Sequence, residues 1–160
     1  MTITRSKHVL FASLTAAALA ILPATAPAQS TAKPAAEKAK AAKPKAARYR
    51  VVLQVSDADP AKWNLALNNA RNVQQDLGKD KVAVEIVAYG PGLGMLKADS
   101  KVADRLAQAI DSNIGLMACE NTMKNTKTTR EDMYSGIKYV DAGVVHIMKR
   151  QREGWSYVRP

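Results

Sequence analysis

The chain has 160 residues, of which 47% are apolar, with one cysteine and a formal net charge of +10. A lone cysteine excludes an intrachain disulfide framework and any Cys-rich zinc or iron–sulfur site within one chain. Residues 1–50 carry nine Lys/Arg and one Glu, residues 51–160 fifteen Lys/Arg and thirteen Asp/Glu; the basicity therefore lies ahead of the folded part, and nucleic acid is not an expected partner.

Arg5 and Lys7 precede an apolar run from Val9 to Leu22, which Pro23 breaks and Ala26-Pro27-Ala28 follows. A short basic region, an apolar core of this length and an A-x-A site make a secretory signal peptide over residues 1–28. The mature chain then begins at Gln29, and the expected location is the periplasm. His8 falls in the leader, so His146 is the only histidine left after cleavage. A metal site would then need carboxylates or a second subunit; neither a metal nor a cofactor is expected.

Residues 29–47 form an Ala/Lys/Pro tether in which Lys33, Lys38, Lys40, Lys43 and Lys45 are spread among alanines. The segment has no large apolar side chain to pack, and Pro34 and Pro44 interrupt any long helix. It reads as a solvated spacer, or as a basic arm touching anionic surfaces. Deleting residues 29–46 is therefore expected to change stability by no more than about 0.5 kcal/mol. A large drop in melting temperature on deletion would show that the segment docks on the domain.

The folded domain is placed over residues 48–160. Arg50–Ser56 is a β-branched strand, and Asp59-Pro60 then supplies a helix N-cap with proline at its first position. Trp63, Ala66, Leu67, Ala70, Val73 and Leu77 follow at spacings of three and four, an apolar helix stripe that Gly78 ends. Val82–Tyr89 is a second strand, parallel to the first because the connection has the length of a helical crossover. A second helix is predicted over about 101–110. Ile114–Ala118 is a short apolar run that suits a strand buried on both faces, with Cys119 at its C-terminal end.

Thr128-Thr-Arg-Glu131 has the form of a capping box and predicts a short helix ending before Gly136. Ile137–Val140 reads as a fourth strand. Val144–Arg152 reads as a helix, because Lys149, Arg150 and Arg152 crowd its last turn and Gly154 can end it. Trp155–Val158 closes the domain as a fifth strand. This alternation predicts a three-layer α/β/α sandwich around a five-stranded, mainly parallel sheet.

Ligand sites in such sheets gather beyond the carboxyl ends of strands, which singles out Cys119. Two readings are open: an inert core thiol, and a reactive thiolate that serves as a nucleophile. The charges around it conflict, since Glu120 would raise its pKa and Lys124, Lys127 and Arg130 would lower it. Gly90, Gly92 and Gly94 form either a tight strand-end turn or one wall of a pocket facing Cys119, with Glu120, Asn121 and Thr122 opposite. The glycines fit neither a P-loop nor a dinucleotide fingerprint. His146 is expected at the surface, and Trp155 and Tyr157 in packing.

Tyr89-Gly-Pro-Gly-Leu93, Ala118-Cys-Glu-Asn-Thr-Met123 and Gly143-Val-Val145 with Gln151-Arg-Glu-Gly-Trp-Ser-Tyr-Val158 together resemble the DsrE/DsrF-like family, over about residues 48–160. The resemblance implies the same α/β/α fold, a homotrimer or homohexamer, and, as in the family's sulfur relays, a cysteine that takes and passes on persulfide sulfur. Cys119 is the residue that can fill that role, with a persulfide donor or acceptor protein as partner. The alternative is a non-enzymatic module that binds a small ligand or protein at the same strand ends, with Cys119 as packing.

Overall fold

The structure, a computed structural model, describes residues 47–160. The leader over 1–28 and all but the last residue of the tether lie outside the described residues. Five strands, β1 (Tyr49–Val55), β2 (Val82–Ala88), β3 (Gly115–Cys119), β4 (Lys138–Val140) and β5 (Ser156–Val158), form one sheet in the order β4-β3-β2-β1-β5. All the pairings within it are parallel. Helix α1 (Pro60–Leu77) connects β1 to β2, and α2 (Ala103–Asp111) leads into β3. A six-residue helix α3 (Glu120–Asn125) follows β3 directly, and α4 (Gly143–Arg152) joins β4 to β5. Among the described residues no helix is long and apolar enough to cross a membrane.

Handedness divides the helices between the two faces. The chain steps from β1 to β4 in one direction across the sheet, so right-handed crossovers put their connections on a single face. From β4 it must return past three strands to reach β5, and the same rule sends α4 to the opposite face. The packing follows this division. Val51, Leu53, Val55, Val84, Ile86, Leu116 and Ala118 join α1, α2 and Met123 of α3 in the main core. Val52, Val87 and Met117 point the other way, to Ile147 of α4, in a much smaller one.

Local expectations largely match. Asp59 caps α1 through its carboxylate, which accepts from the Ala61 N–H at 2.8 Å, and Gly78 follows the last turn. Val144–Arg152 is helical, starting one residue earlier than expected, at Gly143.

The short helix predicted from Thr128-Thr-Arg-Glu131 is absent. The N–H and hydroxyl of Thr129 both donate to Asp132 Oδ2, at 2.7 and 3.1 Å, which closes a local turn instead of opening a helix. Met133 then bridges to Lys97 and is buried in the main core, which a helix running on toward Gly136 would not allow. The helix lies earlier, at α3, directly after Cys119.

Candidate functional site

Cys119 is the last residue of β3 and the N-cap of α3. The connection after β3 turns to the main-core face, whereas the one after β4 turns to the α4 face. The two connections part at the carboxyl ends of β3 and β4, and in open parallel sheets that parting is where ligand crevices form. Cys119 pairs with Val140 across this point. Cys119 is 5% exposed.

Neutral hydrogen-bond donors surround the sulfur. The Gly143 N–H, first in α4, donates to Sγ at 3.2 Å. A Cβ on Gly143 would stand 3.1 Å from Tyr89 Cβ and 3.3 Å from Cys119 Cβ, so helix, tyrosine and cysteine are in close contact here. Burial pushes the thiol pKa up, but the Thr122 hydroxyl and the backbone N–H groups of Gly143, Thr122 and Asn121 outweigh it, and the net shift is downward. The Asn121 N–H also donates to the Asp141 carbonyl at 3.1 Å, which leaves Gly143 as the best-formed backbone donor to sulfur. The Tyr89 phenol is raised, by burial first and then by Tyr157.

The expected contest of charges therefore does not set the thiol. Glu120 turns to Arg130, 2.7 Å away, and Arg130 also lies over the Tyr139 ring at 4.4 Å. Asn121 is exposed at the surface. Of the residues named opposite the glycines, Thr122 is the one that links both sides, since its hydroxyl accepts from the Gly90 N–H at 2.9 Å.

The glycines have three separate jobs. Gly90–Leu96 is a 3-10 turn rather than an open loop. Gly90 reaches Thr122, Gly92 lies against the Val55 carbonyl at the end of β1, and Gly94 faces the Trp63 indole on α1. Only the first of these contacts is on the thiol's side.

His146 does not occupy the expected surface position. Its Nε2 pairs with Glu85 Oε2 at 2.8 Å, and its side chain is 17% exposed. Glu85 is a buried carboxylate in the middle of β2, which the sequence reading missed. The signal was present, because it is the one charged residue in the apolar run Val82-Ala-Val-Glu-Ile-Val-Ala88. Arg150 Nε and Nη2 donate to its two oxygens at 2.8 and 2.7 Å. These bonds come first in holding the Arg150 guanidinium above its ordinary pKa. Arg150 also stacks over Trp155 at 4.7 Å. A cleft of about 490 Å³, lined in part by Ala83, Glu85, Gly115, Met117 and Trp155, opens beside this cluster, and Cys119 is not among its walls. No group of side chains suited to hold a metal ion occurs among the described residues.

No protein-family model matches the chain, and no curated protein does. Among solved structures, the conserved protein of unknown function BT1422 from Bacteroides thetaiotaomicron matches with a TM-score of 0.54 and 13% identity, over 69% of this chain and 94% of that one, a likeness of fold alone. The protein of unknown function MTH1491 from Methanobacterium thermoautotrophicum matches with a TM-score of 0.67 and 35% identity, over 70% of this chain and 99% of that chain. With that identity across almost the whole of the Methanobacterium protein, this chain belongs to the same family as MTH1491.

Proposed function

We propose that the protein is an exported DsrE/DsrF-like sulfur carrier, working in the periplasm, in which Cys119 holds sulfane sulfur as a persulfide. The observation that carries the reading is the donor set around the sulfur. A thiol meant only for packing has no use for hydrogen bonds that favour its ionised form, whereas a carrier needs the thiolate, because that is the attacking species. The switch-point position at the end of β3 supports the same reading.

The step is balanced without a cofactor. The Cys119 thiolate attacks the outer sulfur of a donor persulfide, R–S–SH. A new Sγ–S bond forms, the donor's S–S bond breaks, and R–S⁻ leaves while the proton stays on the transferred sulfur. The Gly143 N–H and the Thr122 hydroxyl stabilise the thiolate before attack. Self-association belongs to the same proposal. It is supported by a face that, among the described residues, α4 alone covers and by Val144, Val145 and Met148, each about half exposed on that helix.

Native mass spectrometry after exposure to glutathione persulfide tests these points together. The expected result is a gain of about 32 Da, one sulfur atom, on Cys119, in an oligomer whose chains begin at Gln29. A folded protein that gains no sulfur would favour the binding module, with Cys119 as packing. Chains that retain Met1 would remove export, and a lone protomer would remove assembly.

A further inference from the structure

Helix α4 has ten residues, yet only Gly143 and Ile147 are buried. So small an apolar footprint leaves its position weakly fixed by packing. The polar contacts are far more specific. His146 and Arg150 stand four residues apart, which places them on one face of the helix, and both bind Glu85 in the centre of β2. Between them they give its carboxylate three contacts, at 2.8, 2.8 and 2.7 Å. The Glu85 side chain is 9% exposed, so water competes little for these bonds.

The other end of the same helix touches the thiol. Gly143 lies three residues before His146, about 4.5 Å along the axis, and its N–H is the donor to Cys119 Sγ. We propose that Glu85 is a positioning residue for Cys119, anchoring α4 through His146 and Arg150 so that the Gly143 N–H stays on the sulfur. The inference rests on the reading of Cys119 as the working thiol, but concerns its ionisation rather than its sulfur chemistry.

The surroundings on both sides are accounted for. The thiol is met by Thr122 of α3 and Gly143 of α4, and Tyr89 beyond β2 packs against Gly143. Glu85 is met by His146 and Arg150 from α4, while Lys79, Asp80 and Lys138 are the other charged groups lining the cleft beside it. Arg150 has a second, outer partner in Glu153 at 2.8 Å, whose side chain is 48% exposed.

The test is the rate of iodoacetamide alkylation of Cys119 against pH in the full mature chain. Glu85→Gln keeps the size of the side chain but removes the charge that draws both partners. The expected result is a midpoint moved up toward the ordinary thiol value of 9.0. Each pH unit of that rise lowers the rate at neutral pH about tenfold. Arg150→Met, at a side chain 27% exposed, attacks the anchor from outside and should move the midpoint the same way if Glu85→Gln does not fold. Arg150→Lys keeps the charge and should restore part of the shift, and Glu153→Gln should leave the profile unchanged. Folded Glu85→Gln or Arg150→Met protein with the wild-type profile, even at a lower melting temperature, would overturn the proposal. A moved midpoint in a protein that takes no sulfur would leave the anchor standing and remove the carrier.

Discussion

Gly92→Ala is expected to destabilise the domain by about 3 kcal/mol, the upper range for forcing a group into filled space. An added Cβ would stand 2.4 Å from the Val55 carbonyl oxygen, 2.7 Å from its carbon and 2.9 Å from the Ser56 nitrogen. All three are backbone atoms at the end of β1, so no side chain can swing aside. The 3-10 turn or the strand end must move, and the Tyr89 N–H bond to the same carbonyl, 3.1 Å long, goes with it. Gly90→Ala is the matched control. Nothing lies within 4 Å of its Cβ, but the residue has φ of +53°, a left-handed conformation worth about 1–2 kcal/mol against any other residue. Urea midpoints of the two variants measure the difference. If Gly92→Ala were no less stable than Gly90→Ala, the close approach of the turn to β1 would be wrong.

Cys119→Ser should abolish sulfur loading completely while leaving fold and assembly in place. The serine hydroxyl would enter a site that already contains a backbone donor, the Gly143 N–H, so it finds a partner and the loss is held to about 1 kcal/mol. In an unpartnered apolar site the same change would cost up to about 3 kcal/mol. The pH dependence has a definite sign. The folded thiol has a lowered pKa, so its ionised form favours the fold. That contribution is fully present above the ordinary value of 9.0 and is lost as pH falls through the folded value. Wild type should therefore gain stability over Cys119→Ser as pH rises through that window. Melting temperatures of both proteins across it, with alkylation rates of wild type, read the outcome. A thiol unreactive up to about pH 9, with a difference in melting temperature that ignores pH, would end the reading of Cys119 as a working thiolate.

Each feature legible in the sequence was written in a short stretch of chain. The stripe from Trp63 to Leu77, the Asp59-Pro60 start and the apolar runs of β1, β2 and β3 are fixed by local propensity and by the period of burial. Cys119 could be placed at a strand end because the change from Ile114–Ala118 to Glu120-Asn-Thr is local too. The capping-box pattern misled because a box offers only local bonds. Here the bond from Thr129 to Asp132 competed with it, and burial of Met133 decided the contest from across the chain.

What the sequence could not contain is the meeting of distant segments. Glu85 stands 61 residues from His146 and 65 from Arg150. Gly143 is 24 residues from the sulfur it faces. None of these pairs shares a period or a motif. They are brought together by the return of the chain from β4 to β5, which right-handed crossover sends to the open face of the sheet. The residues around Cys119 told which groups were near it in sequence, and most of those were charged. The tertiary structure turned Glu120 away to Arg130 and added, to the Thr122 and Asn121 donors close in sequence, the Gly143 N–H of a helix start from another part of the chain that closes over the sulfur.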